Sequence, residues 1–109
     1  MKYDTDKPKI HLVPPEAIFA IAKVFGFGAV KYGENNWHRD IHKYPYSRHY
    51  SSIMRHLLAF QSGEDIDPES GLPHIAHAMT QMMILYTTTQ EAPEMDDRFK
   101  PEVTDAESK

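Results

Sequence analysis

The sequence predicts an all-α fold, a small bundle of three to four helices. In three stretches the apolar residues recur three and four positions apart, which gives a helix one apolar face. No stretch alternates apolar and polar residues as a strand would, and prolines or glycines stand at the ends of the helical stretches. With 109 residues the chain suits one domain. We expect an extended arm over residues 1–13, a helical domain over residues 14–88 and a flexible tail over residues 89–109.

The first helix is predicted to begin at Pro14 and Pro15. Proline is tolerated in a first helical turn, and Glu16 suits the positive end of the helix dipole. Gly26 and Gly28 leave open whether the helix continues to about Tyr32 or restarts after a kink. Upstream, residues 7–9 read Lys-Pro-Lys, which disfavours a helix in the arm.

The second helix is predicted to begin at Ser47, a good N-cap, and to end at Gly63. Residues 38–46 have no clean period and are read as a loop. Pro73 is predicted to open a third helix that reaches about Tyr86. This helix is apolar nearly all round, so we expect it to be buried or to lie at a subunit interface.

Composition excludes several classes of protein. Apolar residues make up 40% of the chain, so its core is small and a homo-oligomer is expected to bury more surface. There is no cysteine, so any metal must be held by His, Asp or Glu. The formal charge of −4 argues against nucleic-acid binding. No apolar stretch suits a signal peptide or a membrane span, so we expect a cytoplasmic protein without a membrane partner.

The most informative stretch is residues 56–77, which hold three histidines and four carboxylates around one turn. His74 and His77 are three apart and share a helix face. With His56 and with Glu64 or Asp67 they predict a divalent-metal site, where imidazoles favour Mn²⁺, Co²⁺ or Zn²⁺ and carboxylates suit Mg²⁺. Glu64, Asp67 and Glu69 are the candidate catalytic acids, one of them as base for a water. The alternative is that the histidines are hydrogen-bonded core or interface residues.

A second set of residues predicts a nucleotide pocket. Arg48 and Arg55 are seven apart on the second helix, and two guanidinium forks can clamp phosphate oxygens. Alternatively they form a solvated basic edge. Near the first helix Lys31 could neutralise phosphate and aromatic rings could stack on a base, or the glycines there could simply allow close helix packing. The other candidates in this set are Tyr32, Asn36 and Trp37, with Asn36 either reading a base edge or forming a turn.

Several blocks of the sequence resemble those of a known protein family. The sequences FGFGAVKYG at 25–33 and SGEDIDPESGLPH at 62–74 carry the resemblance best. Shorter matching blocks are residues 7–9, 12–17, 36–37, 47–48, 55–56 and 77–78. They are similar to the small, mainly bacteriophage-encoded dATP/dGTP diphosphohydrolases, which are grouped with the MazG-like all-α nucleoside triphosphate pyrophosphohydrolases.

The resemblance implies metal-dependent hydrolysis of a purine (deoxy)nucleoside triphosphate to the monophosphate and pyrophosphate, in the host cytoplasm if the chain is phage-encoded. The wider superfamily holds Mg²⁺ with Glu-x-x-Glu and Glu-x-x-Asp pairs. Here His74 and His77 stand where the second pair is expected, and His56 lies near the first. A softer metal, or Mg²⁺ held by the loop acids, is the expected consequence. The alternatives are a protein that binds a nucleotide without cleaving it, as a phage sponge would, and a structural protein whose histidines only pack an oligomer.

Overall fold

The computed structural model describes residues 6–102, and every regular element in that range is a helix. This confirms the all-α prediction. One isolated antiparallel bridge, between Ile66 and Pro73, closes the acidic loop. The α-helices are α1 (Pro15–Tyr32), α2 (Asn36–Arg39), α3 (Tyr46–Gln61) and α4 (His74–Glu91), with short 3-10 helices at Ile10–Leu12 and Pro93–Met95.

Helix α4 is the centre of the bundle. Both α3 and α1 pack against it, whereas α1 and α3 barely touch each other. Two alanines of α4, Ala76 and Ala78, are almost fully buried, and so small a side chain lets a neighbouring helix come close. The prediction that this nearly all-apolar helix is buried is therefore confirmed for its first two turns, whereas Met82 and Met83 at its middle are exposed.

Several helix boundaries differ from the sequence prediction. Helix α1 runs through Gly26 and Gly28 without a break, so the continuous alternative is right. Helix α3 begins at Tyr46, and Ser47 is inside its first turn instead of capping it. Helix α2, a single turn, begins before the predicted loop and ends inside it, and α4 continues five residues past Tyr86.

The beginning of the predicted tail makes defined contacts with the bundle. Ala92 is fully buried, and the Asp97 carboxylate accepts hydrogen bonds from the backbone N–H of Ser47 at 3.0 Å and from its hydroxyl. The acceptor that the first turn of α3 needs thus comes from the far end of the chain. Residues 92–98 therefore belong with the bundle, although the sequence placed them in a flexible tail. Residues 1–5 and 103–109, which complete the predicted arm and tail, lie outside the described residues.

Two further pairs tie the end of α4 to the segment around α2. The ring Nε2 of His38 lies 2.7 Å from Glu91, and Nδ1 of His42 lies 2.5 Å from Glu94. The segment that follows α1 is thereby held against the end of α4. Among the helices of residues 6–102, none is long and apolar enough to cross a bilayer.

Because α4 lies at the centre of the bundle, a larger side chain on α4 should destabilise the fold more than the same change on α1. Ala76→Leu forces three extra carbons into a filled interface and should lower the free energy of unfolding by about 1–3 kcal/mol. Ala22→Leu makes the same change on an exposed position of α1 and should cost much less. Urea unfolding of both variants measures the difference. Equal costs would show that α4 is not the packed centre.

Candidate functional site

A groove of about 1000 Å³ opens where α1 and α3 diverge from α4. A cavity of this size lies at the upper end of the range for small-molecule sites. Its two sides differ in chemistry. The α1 side is mostly apolar and glycine-rich, whereas the α3 and α4 side carries two arginines, three histidines and small polar groups. The polar side is formed by Arg48, His49, Ser51, Ser52, Arg55, His56, His77, Thr80 and Gln81.

Aromatic rings line part of the groove. Trp37 stands 5.8 Å from Phe25, centroid to centroid, and stacks on His38 at 5.0 Å. Because His38 is bonded to Glu91, the indole is held from both sides. Asn35, in the left-handed conformation at φ 59°, makes the turn before Asn36, which also lines the groove. Tyr32 and Tyr44 complete the aromatic lining.

The two arginines of the groove have no carboxylate partner among residues 6–102. The guanidinium carbon of Arg48 lies 4.1 Å from the centroid of the Tyr44 ring, a cation–π contact that orients it. Arg55 lies seven residues further along the same helix, two turns away. In a chain whose formal charge is −4, two unpaired guanidinium groups on one groove form a local positive field suited to an anion.

The predicted histidines and acids meet in two hydrogen-bonded chains, and one histidine of each chain, His56 or His77, lines the groove. In the first, Glu64 Oε1 lies 2.7 Å from His74 Nε2, and His74 Nδ1 lies 2.9 Å from His56 Nδ1. In the second, His77 Nε2 lies 2.6 Å from the Ser70 hydroxyl and 3.4 Å from Asp67. The rings of His56 and His77 stack with centroids 4.6 Å apart and join the two chains.

The first chain determines which nitrogen of His56 is basic. A carboxylate only accepts, so Glu64 takes the proton-bearing Nε2 of His74 as donor. Neutral His74 then presents a lone pair at Nδ1, so His56 must donate from its own Nδ1. The nitrogen left with a lone pair is His56 Nε2.

The surroundings of His56 and His77 favour the neutral form of both rings. Burial, followed by the neighbouring His77 and His74, lowers the pKa of His56 below 6.5. Burial also lowers the pKa of His77, although Asp67 opposes it. The pKa of Asp67 is raised by its partial burial, but the Ser70 hydroxyl and backbone N–H groups outweigh this and hold it below 3.8.

As they stand, these side chains do not fit a resident metal ion. Among residues 6–102 no group of three or more His, Asp or Glu side chains is arranged to hold one. The reason is visible at His74, where both ring nitrogens are already bonded, one to Glu64 and one to His56. A metal ligand needs a free lone pair aimed at the ion.

The structure brings together most of the residues that the sequence singled out. His56 and His77 line the groove, and Glu64, Asp67 and His74 lie behind them. The groove also contains five of the six predicted substrate contacts, Tyr32, Asn36, Trp37, Arg48 and Arg55.

Lys31 and Glu69 lie elsewhere. They pair with each other at 2.6 Å on the surface, and neither lines the groove, although the charge of Glu69 still acts on the pKa of His77. The sequence reasoning did not select His49 or Gln81, which contact each other in the groove. The available signal was spacing, since His49 is seven residues before His56 and Gln81 is four after His77.

The chain is similar to proteins of one family. Residues 1–98 match the family described as dATP/dGTP diphosphohydrolase, N-terminal. A relative from Salmonella phage PMBT28 named dATP/dGTP diphosphohydrolase is 32% identical over 98 residues, which are 90% of this chain and 32% of that protein. The chain thus spans about a third of the length of this curated relative. No solved structure matches the chain at a significant level.

The lowered pKa values predict that acid destabilises the fold before the carboxylates titrate. Below about pH 6.5 the unfolded chain takes up protons at its histidines more readily than the folded chain does at His49, His56 and His77, so stability falls as the pH falls. The midpoint of thermal unfolding should drop between about pH 7 and about pH 5.5. His56→Gln should reduce that drop, and His11→Gln, at an exposed position, should leave it unchanged. An unaltered drop in His56→Gln would contradict the assignment.

Proposed function

The chain belongs to the dATP/dGTP diphosphohydrolase family, whose N-terminal part it matches, and from this we propose that it hydrolyses a purine deoxynucleoside triphosphate to the monophosphate and pyrophosphate. In this reaction a water oxygen bonds to the α-phosphorus, the bond from that phosphorus to the bridging α,β-oxygen breaks, and pyrophosphate leaves. The water proton must go to a base, and the negative charge that develops on the phosphates must be neutralised.

The observation that carries the proposal is the pairing of unpartnered arginines with an aromatic wall in one groove. Arg48 and Arg55 supply the phosphate-binding cations, and bidentate guanidinium–phosphate bonds are strong and directional. Trp37 and Phe25 offer aromatic faces to a base, and Tyr32 and Asn36 line the same groove. A groove with both features suits a nucleotide better than either a metabolite acid or a hydrophobic ligand.

His56 is the proposed general base. It lines the groove, its Nε2 bears the lone pair, and its lowered pKa leaves it neutral at pH 7. Glu64 acts through His74 to fix the tautomer and orientation of the ring. Asp67 and Ser70 do the same for His77, which stacks on His56 and keeps it in place.

The divalent cation is proposed to arrive with the nucleotide. Magnesium in proteins is commonly bound by one or two carboxylates together with the substrate phosphates, and seldom by an all-protein cage. This agrees with a site where the histidines are bonded to one another before substrate enters. Glu64 and Asp67, which bond His74 and His77, are the proposed carboxylates that would join a Mg²⁺– or Mn²⁺–triphosphate complex.

A homo-oligomer is proposed as the assembled form. Helix α1 buries only Val24 and exposes large apolar side chains, among them Val30 at 92%. Exposed apolar surface of this kind on a helix usually meets a partner. A second copy of the chain covering α1 is the simplest partner, since it adds the core that 109 residues lack.

The function is tested by incubating the purified protein with each of the four deoxynucleoside triphosphates and Mg²⁺, Mn²⁺, Co²⁺ or Zn²⁺, and measuring pyrophosphate. Release from dATP and dGTP is expected. Stoichiometric binding with the nucleotide recovered intact under every metal would overturn the enzyme and favour a binding protein. Absence of both binding and release would leave only the structural alternative.

Loss of the base should act on the chemical step. His56→Gln should lower kcat by about a hundredfold or more with little change in Kd for a non-hydrolysable analogue. His11→Gln is the matched control and should behave as wild type. A His56→Gln protein that folds and keeps full kcat would remove His56 from the mechanism.

Loss of either groove arginine should act on binding. Arg48→Gln and Arg55→Gln should each weaken binding of the analogue by about tenfold, more at low salt than at high salt. Arg98→Gln removes an arginine that is already paired with Asp96 outside the groove and is the control. Equal losses in all three variants would show that the effect is only one of net charge.

A further inference from the structure

His49 is the most unusual side chain of the groove. It lines the groove, yet only 7% of the residue is exposed. Its Nδ1 lies 2.6 Å from Nε2 of Gln81, across the contact between α3 and α4. Its Nε2 is buried and has no hydrogen-bond partner, and no other buried side-chain nitrogen or oxygen of the described chain is in that position.

A buried polar atom without a partner costs free energy, about 1–3 kcal/mol. Native proteins therefore pair nearly all such atoms, and an exception points to a water, an ion or a ligand that completes the bond. Because His49 faces a groove proposed to hold a nucleotide, a ligand atom is the partner to consider first.

The orientation of the Gln81 amide decides whether His49 Nε2 is a hydrogen-bond donor or an acceptor, and these are its two settings. When the amide –NH₂ donates to Nδ1, the ring proton sits on Nε2, which is then a donor. When the amide turns over and its oxygen accepts from Nδ1–H, Nε2 carries a lone pair and is an acceptor. In both settings Nδ1 keeps its bond, so changing between them costs little.

Adenine and guanine also differ in being a hydrogen-bond donor or acceptor at one ring position, C6. Guanine carries an oxo group on C6, which accepts, and adenine carries an amino group there, which donates. We propose that His49 and Gln81 form a reversible reader of the purine C6 substituent, with His49 Nε2 donating to a 6-oxo group or accepting from a 6-amino group. This inference rests on the proposed function and extends it to a single site for both purines.

The electrostatics of the groove support the two settings. Burial, and then the cation of Arg48, lowers the pKa of His49. A neutral ring is required, because only a neutral imidazole has one donor and one acceptor nitrogen to exchange.

The experiment measures binding, not turnover, with three α,β-methylene deoxynucleoside triphosphates. Their bases are adenine, guanine and unsubstituted purine. The wild-type protein should bind the first two about tenfold more tightly than the third, since only they satisfy Nε2. His49→Phe keeps a flat ring without nitrogen and should bind all three with nearly equal affinity. His11→Phe is the control for His49→Phe.

A second variant tests the switch itself. Lysine at position 81 can only donate to Nδ1, which fixes the proton on Nε2. Gln81→Lys should therefore raise the ratio of guanine to adenine affinity by about tenfold. The added charge cancels in this ratio because both ligands carry the same triphosphate. Gln61→Lys, an exposed glutamine at the end of α3, is the control and should leave the ratio unchanged.

The outcomes separate this inference from the proposed function. If the wild-type protein releases pyrophosphate from dATP and dGTP but does not prefer 6-substituted purines, the reader is wrong and Nε2 binds a buried water only. The same conclusion follows if His49→Phe keeps the preference, or if Gln81→Lys leaves the ratio unchanged. If the wild-type protein neither binds nor cleaves any purine triphosphate, the proposed function falls and the reader falls with it.

Discussion

The packing of two helices on opposite parts of a third decides most of this structure. Helix α4 buries small side chains such as Ala76 and Ala78, and α3 packs against it more extensively than α1 does. Because α1 and α3 do not close on each other, an open groove remains between them. The small core therefore has a functional consequence: a bundle that buried α1 on α3 would have no site.

The hydrogen bonds of the site follow from the same packing. The start of α4 places His74 beside His56 of α3, and the bridge between Ile66 and Pro73 brings the acidic loop back over both. Two carboxylates then meet three imidazoles, and each side chain satisfies another instead of an ion. Such mutual bonding fixes tautomers, as the general base proposed at His56 requires.

Contacts far from the groove also shape it. The acids near the end of α4 hold His38 and His42, and His38 supports the indole of Trp37. Asp97 caps α3, the helix that carries both groove arginines. The segment around Asp97 is thus part of the scaffold of the site, and it lies within the residues that match the family.

The sequence alone determined the features that depend on neighbours along the chain. These are the helical spacing of apolar residues, the prolines at helix starts, the glycines after helix ends and the clustering of histidines and carboxylates at 56–77. Most residues of the groove could also be predicted from the sequence, because the spacing of Arg48 and Arg55 alone places them on one helix face. Tertiary packing decided the rest. It paired Lys31 with Glu69 outside the groove, bonded the histidines to each other, took the cap of α3 from Asp97 and left His49 Nε2 unpartnered. These depend on contacts between residues up to 50 positions apart, and no local pattern encodes such distances.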